Sequence, residues 1–317
     1  MPDRRSACMH LAATAAAAVA GCGHSEPQPL RRAEAAAPGR HERIEHFRSR
    51  HVDPRPVQVW LPPGYDPQRE RYAVLYMHDG QMLFDPSSTW NRKAWRADAI
   101  AAAAMASGLL RPFIIVGPWN IAAHRHAEYF PQRFLDHIAD QAVRDRLVHK
   151  QMGGRSRSDA YQRFLVEELK PAIDRRYATL PEREHTAVMG SSMGGLASIY
   201  AACEYPATWG GAAALSTHWI GTYERNADAP AAALSYLQQA LPPAGSMWLW
   251  TDRGTKGLDA LYDDAQANVD SLLTRRGWAR PHWVSRVFEG ADHDENAWAD
   301  RLHLPLAHLL PSARTPQ

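Results

Sequence analysis

The sequence predicts a single α/β domain in which a mostly parallel central β-sheet is covered by helices on both faces. The apolar runs at 72–77 and 113–117 are continuous, as in strands that are buried on both sides. Segments with strand character alternate along the chain with segments of helical periodicity, which is typical of a parallel sheet. A chain of 317 residues with 45% hydrophobic content is large enough to bury such a core.

The first half of the chain supplies the edge of this sheet and its first helices. Strands are expected at 42–51 and at 55–61, where apolar and polar residues alternate. An Ala-rich helix is expected at 94–107, and an amphipathic helix at 161–177 that Pro171 bends or ends. The later predicted elements are a strand before Ser192 and a helix after it, strands at 210–215, 246–251 and 283–288, and helices at 261–276 and 297–310.

Charge and cysteine content exclude several functional classes. The 36 basic and 34 acidic residues give a net charge of +2 without a long basic stripe, so nucleic acid is not an expected partner. The three cysteines are too few and too scattered for a disulfide framework. Cys203 lies in a helical segment and is expected to be a buried, small apolar residue.

The N-terminal segment has the pattern of a bacterial lipoprotein signal peptide over residues 1–21. Arg4 and Arg5 precede an apolar run at 11–20 that is too short to span a bilayer. The sequence Val-Ala-Gly-Cys then ends at Cys22, which would carry the lipid; ordinary signal-peptide cleavage near the same place is the alternative. We therefore expect a flexible tether at 22–41, a folded domain at 42–311 and a lipid-anchored protein on the periplasmic side of the cell envelope.

The segment Gly190-Ser191-Ser192-Met193-Gly194 carries the Gly-x-Ser-x-Gly pattern between a strand and a helix. Such a sharp turn lifts a serine hydroxyl out of the sheet, and glycines two positions away avoid clashes with neighbouring backbone. Alone, the pattern also fits a glycine-rich turn that happens to contain serine. Its position after a buried strand, together with the partners below, predicts Ser192 as a nucleophile.

A serine nucleophile needs a base, and chain order selects one of the 16 histidines. In α/β hydrolases the order is serine, acid, histidine, and His293 directly follows the last predicted strand. Asp259, in the loop after the strand at 246–251, is the preferred acid. Asp252, at the end of that strand, is the alternative. The backbone N–H groups of Met193 and Gln81 are the expected oxyanion donors.

Residues 130–158 do not fit the alternation of strands and helices. They carry many charges and the pair Gly153-Gly154, and they are long for a connection. The segment is interpreted as an insertion near the active site; a solvated loop with no role is the alternative.

A set of short motifs extends over residues 42–310: the segments 61–65, 75–81, 83–85, 125–129 and 190–196, and His293 with Trp298, Arg301 and Leu302. Together they resemble the esterase family of α/β hydrolases that includes esterase D, feruloyl and acetyl-xylan esterases, the antigen 85 mycolyltransferases and the enterochelin esterases. The siderophore-esterase-like branch looks most similar.

The resemblance implies an α/β-hydrolase fold, with Ser192 as nucleophile, His293 as base and Gln81 and Met193 as oxyanion amides. It places Arg125 near the substrate pocket, although Arg125 could instead form a structural ion pair with Glu128. One departure is that Asp259 lies later than the acid of many family members. Some members of the siderophore branch use a serine–histidine pair alone.

The sequence therefore predicts a serine carboxylesterase of the bacterial cell envelope that acts on a small-molecule or saccharide ester. No metal or cofactor is expected. Acyl transfer to a sugar or lipid by the same residues is one alternative, and a catalytically silent, ligand-binding lipoprotein is another. The sequence leaves open the identity of the ester and the oligomeric state.

Overall fold

A computed structural model describes residues 39–312. The predicted signal peptide, Cys22 and nearly all of the predicted tether lie outside the described residues. The first strand begins at Arg40, slightly before the predicted domain start at 42. The eight strands of the sheet are β1 (Arg40–Phe47), β2 (Arg55–Leu61), β3 (Ala73–Met77), β4 (Phe113–Pro118), β5 (Thr186–Ser191), β6 (Gly211–Leu215), β7 (Trp248–Arg253) and β8 (Trp283–Val287).

The eight strands form one sheet in the order β1-β2-β4-β3-β5-β6-β7-β8. β1 pairs antiparallel with β2, and β2 pairs antiparallel with β4. All the other pairs are parallel, which confirms the mostly parallel sheet. The carboxyl ends of β3, β5, β6, β7 and β8 consequently meet at one edge, where ligands bind in open α/β sheets.

Helices cover both faces of the sheet, as the sequence predicts. Alternate residues of a strand point to opposite faces, so Val74 and Tyr76 enter one apolar core while Leu75 and Met77 enter the other. The helices are α1 (Ala97–Ala106), α2 (Arg125–Tyr129), α3 (Gln141–Met152), α4 (Ser158–Arg163), α5 (Lys170–Arg176), α6 (Met193–Glu204), α7 (Asp228–Ala240), α8 (Asp263–Arg275), α9 (Glu295–Arg301) and α10 (His303–Leu309). None of the helices in residues 39–312 has the length and apolar character needed to cross a membrane.

The structure divides two of the predicted helices near proline residues. The helix expected at 161–177 consists of α4, a π-helical stretch at Phe164–Leu169 and α5, which carries Pro171 in its first turn. Proline lacks an N–H and crowds the carbonyl four residues earlier, which disturbs the regular ladder there. The helix expected at 297–310 is likewise divided at Leu302, close to Pro305.

The segment at 130–158 is ordered rather than an open loop. A 3-10 turn at Gln132–His137 precedes α3, whose first N–H groups donate to the Asp140 side chain. The turn packs against α7, and α3 packs against α2. Helix α7 was not predicted from the sequence; its start is marked by the Asn226 side chain, which accepts from the N–H of Ala229 at 3.0 Å.

A buried ion pair fastens α2 to the sheet. Arg55, the first residue of β2, donates to both carboxylate oxygens of Glu128 at 2.8 and 2.6 Å, and neither side chain is exposed. Two charges removed from water in this way need ideal geometry to offset the cost of their desolvation. Because Glu128 lies on the same short helix as Arg125, the pair also fixes the position of Arg125.

Glu128→Gln should destabilise the fold severely, because it leaves the Arg55 charge buried without a counter-ion. Losing one partner of such a pair typically costs about 3–5 kcal/mol. Glu45→Gln is the control, since Glu45 pairs with Arg43 on the exposed side of β1. Urea unfolding of both variants measures the difference; equal losses of unfolding free energy would contradict a special role for the buried pair.

Candidate active site

Ser192 lies at a strained turn between β5 and α6. Its backbone angles are φ 55° and ψ −121°, a region that residues with a side chain rarely adopt. The N–H of Ser192 donates to Leu215 at 2.9 Å, and the N–H of His218 donates to the carbonyl of Ser192 at 3.2 Å. These bonds to residues at the end of β6 and just beyond it hold the turn in place.

Two glycines make this turn possible by allowing backbone segments to come close together. A Cβ atom at Gly190 would lie 2.7 Å from the backbone of Gly194, which is closer than real contacts permit. A Cβ atom at Gly194 would lie 3.2 Å from the Cβ of His78. The turn that carries Ser192 is therefore packed directly against the segment that follows β3.

The structure brings together His293 and Asp259. His293 follows β8, and its Nδ1 lies 2.5 Å from Asp259 Oδ1. The other carboxylate oxygen, Oδ2, accepts from the N–H of Gly254 at 2.5 Å and from the hydroxyl of Ser216 at 2.6 Å. Asp259 is completely buried, so these donors replace the water that an exposed carboxylate would bind.

Asp252 is also buried, but its contacts are different. Its Oδ1 accepts from Arg301 at 2.9 Å, and its Oδ2 accepts from the indole N–H of Trp250 at 2.8 Å. Burial raises the pKa of Asp252, and the nearby Arg301 opposes that rise. Of the two candidate acids, Asp259 is therefore the one whose carboxylate contacts the imidazole of His293.

The two predicted oxyanion donors occupy similar backbone positions at the same edge of the sheet. Met193 is the first residue of α6, and Gln81 lies within a 3-10 turn at Gly80–Met82 directly after β3. N–H groups at the start of a helix have no acceptor within that helix, and the helix dipole favours negative charge there. A Cβ atom at Gly80 would lie 2.1 Å from the carbonyl oxygen of Gly117, so only glycine permits this path.

Arg125 does not pair with Glu128, whose carboxylate binds Arg55 instead. Arg125 instead donates to both oxygens of Asp79, at 2.8 and 2.7 Å. Burial would raise the pKa of Asp79, but Arg125 and Asn120 outweigh it and hold that pKa below its usual range. Asp79 precedes the Gly80–Met82 turn in a left-handed conformation, so the ion pair braces the backbone that carries Gln81.

Sequence reasoning missed a second histidine and a tyrosine beside Ser192. The Tyr262 hydroxyl lies 2.5 Å from Nδ1 of His218 and interacts with the Ser192 side chain. The Tyr262 ring also packs edge-on against His293, with 5.7 Å between ring centroids. The only sequence signal was proximity: Tyr262 comes three residues after Asp259, and His218 follows the strand next to the Ser192 turn.

The insertion forms one wall of a surface cleft. The cleft has a volume of about 470 Å³ and lies between α3 and residues 222–229. Tyr223 is 73% exposed at its rim, and its ring centroid lies 6.0 Å from that of His218. The segment 130–158 thus stands near the site, as the sequence predicts.

The fold and the arrangement of the site define an α/β hydrolase. Residues 50–309 match the family described as "Putative esterase", and the chain belongs to that family. It is accordingly a carboxylic ester hydrolase.

The chain is similar to two esterases of known structure and to one further enzyme. A ferulic acid esterase from Anaeromyces mucronatus, solved with ferulic acid, has a TM-score of 0.61 and 21% identity, over 88% of this chain and 93% of that one. The enterobactin esterase from Shigella flexneri has a TM-score of 0.65 and 16% identity, over 90% of this chain but 62% of that one. An endo-1,4-beta-xylanase/feruloyl esterase from Xylanibacter ruminicola is 24% identical over 144 residues, 44% of this chain and only 16% of that protein.

Two buried histidines and one partly buried histidine should make the fold sensitive to acid. Burial lowers the pKa of His78 and of His126 to about 4, and that of His218 to about 3. In the unfolded chain the same groups take up protons near pH 6.5, so acid favours unfolding by about 1.4 kcal/mol per group for each pH unit below that value. Stability should therefore fall as the pH drops from about 6.5 toward 4.

Urea unfolding of His78→Gln at pH 7 and pH 5 tests this expectation. The variant should lose less stability between the two values than the wild type does, because one of the coupled groups is gone. His46→Gln, at an exposed position of β1, should behave as the wild type. An unchanged pH dependence in His78→Gln would contradict the coupling.

Proposed function

We propose that this protein is a serine esterase that works through an acyl-enzyme, with Ser192 as nucleophile, His293 as base and Asp259 as the acid that orients His293. The observation that carries the proposal is the contact between His293 Nδ1 and Asp259 Oδ1 at 2.5 Å, with Tyr262 in contact with both His293 and the Ser192 side chain. A buried carboxylate on Nδ1 keeps the proton on that nitrogen, which leaves Nε2 free to accept the serine proton.

The reaction follows from these positions. Ser192 Oγ attacks the ester carbonyl while His293 takes the hydroxyl proton and then gives it to the departing alcohol. Water, activated by the same imidazole, releases the acid from Ser192. The N–H groups of Gln81 and Met193 stabilise the oxyanion in both steps, and losing one such donor typically costs about 10²–10³ in rate.

The proposed substrate is a small-molecule or saccharide ester. Support comes from the two similar structures, one solved in complex with ferulic acid and the other in the presence of enterobactin. Arg125, held beside the oxyanion segment by Asp79 and partly exposed, is the proposed substrate contact. Turnover of feruloyl-sugar, acetyl-sugar and trilactone esters side by side would rank these candidates.

We also propose a bacterial envelope location, with a lipid on Cys22 holding the esterase domain on the periplasmic side of a membrane. The support is the sequence pattern at 1–22 and the Pro- and Ala-rich segment that follows it.

Ser192→Ala should remove activity, because no other group supplies the nucleophile. Turnover of p-nitrophenyl acetate should fall roughly 10³-fold or more, and labelling by a fluorophosphonate should disappear. Ser235→Ala, on the exposed side of α7, should retain both. Wild-type turnover by a folded Ser192→Ala enzyme would rule out the serine mechanism.

Cys22→Ser should release the protein from membranes. In bacteria labelled with a palmitate analogue, the full-length wild type should be labelled and should sediment with membranes, since lipidation at this cysteine is the anchor. Cys8→Ser, inside the predicted signal peptide, should behave as the wild type. An unlabelled wild type, or a Cys22→Ser variant that stays with membranes, would contradict the anchor.

A further inference from the structure

Ser216 occupies an unusual place at the end of β6. It is completely buried, and its φ of 45° lies in the left-handed region that disfavours residues with a side chain. Its N–H donates to the carbonyl of Asp252 at 2.8 Å. A serine held in this way, with its hydroxyl inside the protein, needs a reason beyond packing.

The contacts of the Ser216 hydroxyl leave one acceptor for its proton. Its oxygen accepts from the indole N–H of Trp298 and from Nη2 of Arg301, each at 2.9 Å. A hydroxyl has two lone pairs and one proton, so both acceptor positions are filled. The remaining partner is Asp259 Oδ2, at 2.6 Å, and the hydroxyl must donate to it.

Asp259 therefore faces donors on both of its oxygens. Its Oδ2 receives the Ser216 hydroxyl and the Gly254 N–H, and its Oδ1 faces Nδ1 of His293. Hydrogen bonds to a charged group are stronger than those between neutral groups, and together they fix both the charge and the orientation of the carboxylate.

Asp252 completes the cluster by neutralising Arg301. The same Nη2 atom that donates to Ser216 also donates to Asp252 Oδ1 at 2.9 Å, using the second of its two protons. Arg301 can thus remain charged and buried next to Asp259 without competing for its carboxylate. Asp252, which does not contact His293, is thereby linked through Arg301 and Ser216 to Asp259, which does.

We propose that Ser216 is the positioning residue of the catalytic acid: by donating to Asp259 Oδ2 with a forced orientation, it holds the carboxylate directed at His293. This rests on the proposed function, in which Asp259 orients the base. Ser216 acts on the base through Asp259 and is not placed in contact with substrate.

The proposal predicts a kinetic signature that simple loss of packing would not give. Without the Ser216 donor, the charge of Asp259 is less dispersed and attracts the protonated imidazole of His293 more strongly. The pH profile of kcat/KM is therefore expected to change. The other titratable or charged groups near the pair include Asp252, Arg301, Asp292, Tyr262 and His218. None of them is substituted in a Ser216 variant, and of these groups only Arg301 loses a hydrogen-bond acceptor, the Ser216 oxygen.

Ser216→Ala tests the proposal in the full domain with p-nitrophenyl acetate, with active sites counted by fluorophosphonate labelling. We expect kcat to fall about 10- to 100-fold, as for the loss of a hydrogen bond to a charged group. KM should change little, and the acid limb of kcat/KM should be shifted relative to that of the wild type. Ser198→Ala is the control, since Ser198 is a fully buried serine whose hydroxyl donates to Gly194 rather than to Asp259.

The outcomes separate this proposal from the one it rests on. A Ser216→Ala enzyme with the wild-type kcat and pH profile, while Ser192→Ala is inactive, would overturn the role of Ser216 alone. Activity in Ser192→Ala would overturn the serine mechanism itself. If Ser216→Ala does not fold, Ser216→Cys fills similar space with a weak donor and should show the same shift of the acid limb; an unshifted limb would overturn the proposal.

Discussion

The carboxylate of Asp259 is the point on which the rest of the site depends. It is fully buried, and it is contacted by Ser216 after β6, Gly254 after β7 and His293 after β8. A buried charge without such partners would be expensive, so these three segments are held together by the need to satisfy it. The imidazole then has a fixed tautomer and a fixed direction, which a loop position alone would not provide.

The parallel sheet positions the expected oxyanion donors relative to Ser192. Because β3 and β5 are parallel neighbours, the Gln81 and Met193 amides lie at the same edge as the Ser192 turn. The close approach of Gly194 to His78 joins the two segments. The ion pair of Asp79 and Arg125 stabilises the segment that carries Gln81. The buried pair of Arg55 and Glu128 in turn holds the helix that carries Arg125.

Local patterns made much of the fold and several site residues predictable. Five consecutive residues, 190–194, predict the Ser192 turn. The order of the predicted strands along the chain selects His293 and favours Asp259 over Asp252. The contacts of Ser216, Asp79 and Arg125 were not predictable, because their partners lie 43 to 85 residues away and are fixed only by tertiary packing. Helix α7 was missed although its buried residues recur at helical spacing, because the sequence reasoning followed the strands and assigned no element to 228–240. The irregularity near Pro171 was expected, whereas the break at Leu302 before Pro305 was not.

The comparison of Asp259→Asn with Asp252→Asn tests the central claim most directly, with kcat/KM for an aryl ester normalised to active sites. An asparagine at 259 favours the wrong imidazole tautomer, so kcat/KM should fall by about 10³-fold or more. Asp252→Asn should retain far more activity per folded molecule, because Asp252 contacts Arg301 rather than His293. The reverse order would move the acid to Asp252, and wild-type activity in both variants would show that Ser192 and His293 work without an acid.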